Sequence, residues 1–404
     1  MEVSRRNLIA AAGLAATAVS KLRAAPGLPD KQQFPVVKSE VCLNNARWHP
    51  ISQGAMRAVQ EYLEYKASGG GSDGDYGGRL QNRSKEMFAK LINARTSEVS
   101  FVPSTTVGEN LVAASLDLPR AGGNVVTDAL HFEGSLYQYG ELGKQGLEVR
   151  IARPKDWRID LNDLDKLIDR KTKLVAVSLV SMINGFQYDL KAVCDLAHSR
   201  GAKVYADAVQ AVGAVPVDVR ATGIDFLACS SYKWLMGDMG LGFLYVREEL
   251  LGQLPRTQYG FRQLDRMQYH IFPYDPPGQT VMDWTPSGTA GGHFEVGTVS
   301  NTTAACLSFS LDYILQLGVD KIQAHRQPLM RRLQRELPRL GFQPMTPEES
   351  KSPIVTFAKE DTRGLAAKLK QARIDIAVYP HRIRVSPSVY NDEADVDKLL
   401  EALS

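Results

Sequence analysis

A lysine stands between two apolar runs. Ser230-Ser231-Tyr232-Lys233 follows Phe226-Leu227-Ala228, and Leu241-Gly242-Phe243-Leu244 comes after it. Burial penalises an ammonium's charge, so a lysine carried into such surroundings tends toward the neutral, nucleophilic amine. A second polar group, Asp207-Ala208-Val209-Gln210, follows Val204-Tyr205-Ala206. A third, Pro103-Ser104-Thr105-Thr106, follows Phe101-Val102 and opens a helical pattern that runs to Leu116. Hydroxyls and free N–H groups at a helix start suit an anion such as phosphate. Singly, each group has a plainer explanation. Lys233 could lay its stem on apolar surface, Asp207 could cap a turn, and Ser104 could be a simple N-cap. Together they meet the requirements of pyridoxal phosphate: an anion cradle, an acid for the ring nitrogen and a lysine for a Schiff base.

The elements that must position these residues alternate in kind. Helical spacing covers 51–67, 83–93, 106–116, 135–145, 161–169 and 190–200, and short apolar strands cover 99–102, 124–127, 147–152, 173–180 and 203–206. That alternation predicts an α/β fold with a mostly parallel sheet flanked by helices. In such sheets ligands bind beyond the carboxyl ends of the strands, where all three polar groups fall. After about residue 300 two long helical patterns (302–317 and 321–340) and shorter strands (354–357 and 383–385) suggest a smaller α+β domain. The expected division is residues 1–25 as a leader, 26–300 as a large cofactor-binding domain with an N-terminal arm, and 301–404 as a small C-terminal domain. The glycine-rich stretch 69–78 contains Gly70-Gly71-Ser72-Asp73-Gly74. It lacks the preceding strand of a nucleophile elbow and the GK[ST] of a P-loop, so it reads as a loop.

Composition narrows the alternatives. A formal net charge of +3 with dispersed Lys and Arg carries no nucleic-acid footprint. Cys42, Cys194, Cys229 and Cys306 form no CxxC pair, and the histidines form no HExxH, so neither a disulfide framework nor a metal site is expected. A dinucleotide fold would need GxGxxG after an early strand. The nearest arrangement, Gly237-x-x-Gly240-x-Gly242, has the wrong order and follows the lysine. At the N-terminus, Arg5-Arg6 precedes an Ala-rich run from Ala10 to Val19 that is too short to span a bilayer. This layout matches a twin-arginine signal and predicts a periplasmic protein, with a cytoplasmic one as the alternative. No membrane contact beyond that signal is expected.

Over residues 40–395, and most strongly over 204–246, the chain resembles the class V aminotransferases of pyridoxal phosphate fold type I. That family includes cysteine desulfurases, isopenicillin N epimerase-like proteins and kynureninases. The resemblance implies Lys233 as the Schiff-base lysine, Asp207 on the ring nitrogen and Gln210 near the ring hydroxyl. It implies Thr105, Thr106, Ser230 and Tyr232 at the phosphate, and His131 stacked on the ring with Phe132 as the neighbouring alternative. Thr298, in Glu295-Val296-Gly297-Thr298, matches a threonine that reaches the phosphate of a second subunit, which implies a homodimer. Arg384 matches the clamp on the substrate α-carboxylate, and Asn45 lies in the family's N-terminal segment beside the site. Tyr232 stands where desulfurases commonly carry histidine, and residues 377–382 lack the cysteine of one desulfurase branch. Residues 179–182 also lack the desulfurase His-Val-Asn-Asn pattern.

These readings predict a pyridoxal phosphate enzyme acting at the α-carbon of an amino acid. The leading expectation is an isopenicillin N epimerase-like enzyme. A carbon–sulfur or other β-lyase, or a desulfurase-like enzyme, comes next, followed by a transaminase. The rival from another class is a cofactor-binding protein without turnover.

Overall fold

The computed structural model describes residues 28, 30–70 and 74–404. The expected leader therefore lies outside the described residues, as does the centre of the Gly70–Gly74 motif. Among the described residues, no helix is long and apolar enough to cross a membrane.

Seven strands form the main sheet: β1 (Val99–Val102), β2 (Asn124–Asp128), β3 (Glu148–Ala152), β4 (Thr172–Ser178), β5 (Lys203–Asp207), β6 (Phe226–Ser230) and β7 (Gly242–Val246). Their order is β1-β7-β6-β5-β4-β2-β3. All run parallel except β7, which is antiparallel to both of its neighbours. Strand periodicity sorts the side chains into two cores. Val175, Val177, Val204, Ala206, Leu227 and Cys229 face one helical layer, and Leu174, Ala176, Tyr205, Phe226 and Ala228 face the other. Burial on both faces explains why these strands read as continuous apolar runs.

Helices α1 (Gln53–Ala67), α2 (Tyr76–Leu91), α3 (Thr105–Ser115), α4 (Glu133–Lys144), α5 (Leu161–Leu167) and α6 (Leu190–His198) fill the connections. Helix α2 starts earlier than the apolar spacing predicted, inside the glycine-rich stretch. A Cβ at Gly77 would run into the Asn301 side chain, so glycine permits a close approach between helices there. Helix α7 (Asn301–Leu317) follows, and its Leu307 and Leu311 lie in the large core. The expected boundary after residue 300 therefore falls ahead of a helix that packs with the large domain. The small domain begins with α8 (Val319–Glu336). It contains β10 (Gln343–Pro344), β11 (Val355–Ala358), β12 (Ala377–Tyr379) and β13 (Arg382–Val385) in the order β10-β11-β13-β12. The N-terminal arm joins it, because Val41–Cys42 pairs in parallel with Ile374–Asp375 and Leu43 enters its core.

One element has no counterpart among the expected ones. Leu264–Tyr269 (β8) and Met282–Pro286 (β9) form an antiparallel hairpin as a separate two-stranded sheet. Its strands and tip expose Met267, Phe272, Tyr274 and Trp284.

Candidate active site

The carboxyl ends of β5 and β6 and the start of α3 meet in one cavity. Thr105, Thr106, Asp207, Gln210, Ser230, Tyr232 and Lys233 all line it. The helix start is tied to β6 by a reciprocal clamp. The Thr105 N–H donates to Ser230 Oγ at 2.9 Å, the Ser230 N–H donates to Thr105 Oγ1 at 3.0 Å, and the two hydroxyls lie 2.9 Å apart. Ser104 caps the helix by accepting from the Val107 N–H at 3.2 Å. The first N–H groups of this helix, Thr106 among them, have no partner within the helix. A free N–H and hydroxyls at the start of an eleven-residue helix form an anion site.

Lys233 is 7% exposed, so its ammonium is poorly solvated. Burial pulls its pKa down to about 8, against the attraction of Asp207, and Arg384 pushes the same way as burial. Asp207, at the end of β5, is 4% exposed and accepts from the Val209 N–H at 2.9 Å. Burial raises its carboxyl pKa, while His131 and Lys233 oppose the rise. Gln210 is held at both ends of its amide, donating to Ala46 O at 2.9 Å and accepting from Trp234 Nε1 at 2.8 Å. Close backbone packing fixes the lysine loop. Gly213 has φ +87°, and a Cβ there would lie 2.5 Å from the Trp234 carbonyl oxygen. The Tyr232 carbonyl accepts from the His49 N–H at 2.9 Å, which anchors the loop to the N-terminal arm.

Arg384 approaches from the small domain on β13. It is 3% exposed and donates from Nη1 to Met182 O at 3.1 Å, while its Nε has no partner among the described residues. Met182 lines the cavity, and Arg384 opens on a neighbouring depression with Asn44, Arg47 and Tyr379. A buried guanidinium with an unmet donor suits a carboxylate.

Besides Arg384, three more expected residues lie outside the cavity wall. His131 does not line the cavity; Phe132 does. The turn after β2 explains the exchange. Asp128 Oδ1 accepts from the Leu130 N–H at 2.7 Å and Asp128 O from the His131 N–H at 3.2 Å. His131 is fully buried, and Phe132, at the N-cap of α4, reaches the cavity. Asn45 is also absent from the wall. Its amide donates to Ser386 O at 2.9 Å and accepts from the Tyr390 hydroxyl at 2.6 Å. It thus ties the arm to the chain just past Arg384 rather than facing a ligand. Thr298 is exposed and lines a separate depression near Phe101 and Pro103, outside this cavity.

The cavity wall also contains residues that sequence reasoning passed over: Glu109, Ser135, Ser178, Val180 and Met182. Glu109 had a legible signal, a lone acid within the otherwise apolar and small-residue pattern of α3. Ser178 and Met182 had none, since a strand-end serine and a loop methionine are ordinary.

A parallel sheet with a buried lysine, a strand-end acid and an anion site at a helix start defines a fold type I pyridoxal phosphate enzyme. The Aminotransferase class-V family model matches residues 49–399. A probable cysteine desulfurase of Methanothermobacter thermautotrophicus is 29% identical over 306 residues, 73% of this chain and 72% of that protein. A cysteine desulfurase of Shigella sonnei is 31% identical over 333 residues, 78% of this chain and 79% of its own length. Among solved structures, the apo cysteine desulfurase of Thermococcus onnurineus matches with a TM-score of 0.82 at 23% identity, covering 94% of this chain and 98% of that one. The cystine C–S lyase C-DES, in complex with its product cysteine persulfide, matches at 0.78 and 19% identity, covering 92% and 99%. The chain belongs to the class V aminotransferase family. Its cofactor is pyridoxal phosphate, and the donor set fits it: Lys233 for the aldehyde, Asp207 for the ring nitrogen, and the α3 start with Ser230 for the phosphate.

Proposed function

We propose that the protein is a carbon–sulfur lyase, which cleaves the Cβ–S bond of a cysteine-like amino acid and releases the sulfur without passing it to a cysteine of its own. The observation that carries this reading is the state of the four cysteines, all of which are buried. Burial pushes the Cys42 and Cys306 thiols up to about 11 and Cys194 up to about 12, and raises Cys229 as well. A persulfide-forming enzyme needs an accessible thiolate, which these environments suppress. None of the four lines the cavity. The curated relatives named above are cysteine desulfurases, which favours carbon–sulfur chemistry over epimerisation.

When bound, pyridoxal phosphate supplies an electron sink for negative charge at Cα. The chain's residues do the rest. Arg384 holds the substrate carboxylate. Displaced from the aldehyde by the substrate amine, Lys233 would be a free amine with a lowered pKa, available as a base near neutral pH to take the Cα proton. The Cβ–S bond breaks, the sulfur leaves with the bonding pair, and Lys233 returns a proton to it. The remaining three-carbon skeleton hydrolyses to pyruvate and ammonia. Asp207 balances the charge on the ring nitrogen throughout.

Product analysis separates this reading from its neighbours. With cysteine or cystine, sulfide or persulfide should appear together with equimolar pyruvate. Alanine with protein-bound sulfur would make the protein a desulfurase, and Cα–H exchange without sulfur release would favour an epimerase. In this reading the protein is also a homodimer. The exposed apolar side chains of the 264–286 hairpin need a covering partner, and a second copy would cover them. The Arg5-Arg6 leader directs the folded, loaded enzyme to the periplasm.

A further inference from the structure

The cavity wall holds an acid that the elimination does not use. Glu109 on α3 is 1% exposed and lines the cavity. A buried carboxylate is retained only when it is paired and hydrogen-bonded. Glu109 accepts from Ser135 Oγ at 2.5 Å and from the Tyr139 hydroxyl at 2.9 Å, and His131 Nε2 lies 3.2 Å from its Oε1. The other ring nitrogen of His131, Nδ1, lies 2.8 Å from Ser178 Oγ. Ser178 lines the cavity and is the register partner of Asp207 on the adjacent strand. The carboxylate makes Nε2 a donor; at Nδ1 the Ser178 hydroxyl accepts from an imidazolium and donates to a neutral ring. Acids face it from three elements: Glu109 from α3, Asp128 from the end of β2 and Asp207 from the end of β5. Tyr188 occupies Asp128 through its hydroxyl at 3.0 Å, and Lys233 is the other cation that acts on Asp207.

We propose that Glu109 and His131 form a buried ion pair that keeps Asp207 ionised, and so keeps the cofactor ring nitrogen protonated. His131 is then a positioning residue acting through Asp207, and Phe132 takes the place at the ring that the resemblance gave to His131. The proposal rests on pyridoxal phosphate occupying this cavity with its ring nitrogen at Asp207. Burial opposes the charge on His131, but Glu109, Asp128 and Asp207 outweigh it and raise its pKa. His131 in turn is the largest influence pulling the Asp207 carboxyl down against burial. Without an imidazolium, Asp207 would share its wall with a second acid, Glu109, which pushes its pKa up.

The test loads the enzyme with pyridoxal phosphate labelled with nitrogen-15 in the ring and follows the ring-nitrogen resonance from pH 6 to 9. In the wild-type enzyme the nitrogen should stay protonated across that range. In His131→Gln and Glu109→Gln it should lose its proton at a pH lower by about one unit or more, a tenfold loss in proton affinity. The near-violet absorption of the Lys233-bound cofactor should persist in both variants. A variant that folds and binds cofactor with an unchanged nitrogen resonance would overturn the proposal, because a merely structural histidine predicts that result. The unmutated enzyme gives a reading independent of folding. The imidazole carbon resonance of His131 should report a ring that stays protonated above the pH at which a free histidine titrates, and a neutral ring at pH 7 would overturn the proposal. A wild-type enzyme with no bound-cofactor resonance would instead overturn the cofactor assignment, and this proposal with it.

Discussion

Replacing Lys233 with methionine should stabilise the cofactor-free protein at neutral pH, and the gain should disappear in alkali. The folded environment takes the Lys233 ammonium from the ordinary 10.5 down to about 8, with the attraction of Asp207 already counted. The folded state therefore binds this proton more weakly than the unfolded chain does. The resulting penalty is fully present below pH 8, shrinks between pH 8 and 10.5, and is absent above that. A depression of that size corresponds to about 3 kcal/mol. Methionine keeps the unbranched stem that packs in the cavity wall and removes the charge. The assay is urea unfolding of the cofactor-stripped wild type and Lys233→Met at pH 7, 9 and 10.5. The variant should be more stable by about 3 kcal/mol at pH 7, by less at pH 9, and by almost nothing at pH 10.5. Taking the difference between the two proteins removes every group that titrates alike in both. A difference that does not change with pH, or a variant less stable at pH 7, would refute the claim that Lys233 is held in a charge-disfavouring site.

Other consequences follow from the same geometry. Arg384→Lys loses a bidentate clamp worth about 1.5–3 kcal/mol, so kcat/KM should fall roughly 10- to 150-fold, mostly through KM; an unchanged KM would remove Arg384 from the carboxylate site. Iodoacetamide at neutral pH should leave sulfide and pyruvate release intact, because the four thiols are buried; rapid inactivation with one alkylated cysteine would point to a desulfurase nucleophile. Arg5→Lys with Arg6→Lys should leave the protein in the cytoplasmic fraction, whereas unchanged export would sink the twin-arginine reading.

Much of the site was legible because it rides on regular elements. Lys233 and Asp207 follow apolar runs that become adjacent parallel strands, and a polar residue just past such a run must lie at the sheet's carboxyl edge. The α3 start was legible for the same reason, since Thr105 and Ser230 close the ends of neighbouring units. What escaped depended on turns or distant partners. Whether His131 or Phe132 faces the cavity turns on a single-residue rotation after β2, set by the Asp128 hydrogen bonds. Asn45 is occupied by Ser386 and Tyr390, more than 340 positions away, and no local pattern announces that. The arm's membership of the small domain rests on the two-residue pairing of Val41–Cys42 with Ile374–Asp375, too short to have a periodicity. The hairpin at 264–286 was missed because its large apolar side chains sit on exposed strands instead of alternating inward.

A covalent bond between Lys233 and pyridoxal phosphate is the central requirement of this chemistry. Purified enzyme should absorb in the near-violet, lose that band on borohydride treatment, and yield on digestion a single peptide with the reduced cofactor on Lys233. Attachment at another lysine, or a Lys233→Ala protein that still forms a reducible covalent adduct, would contradict it.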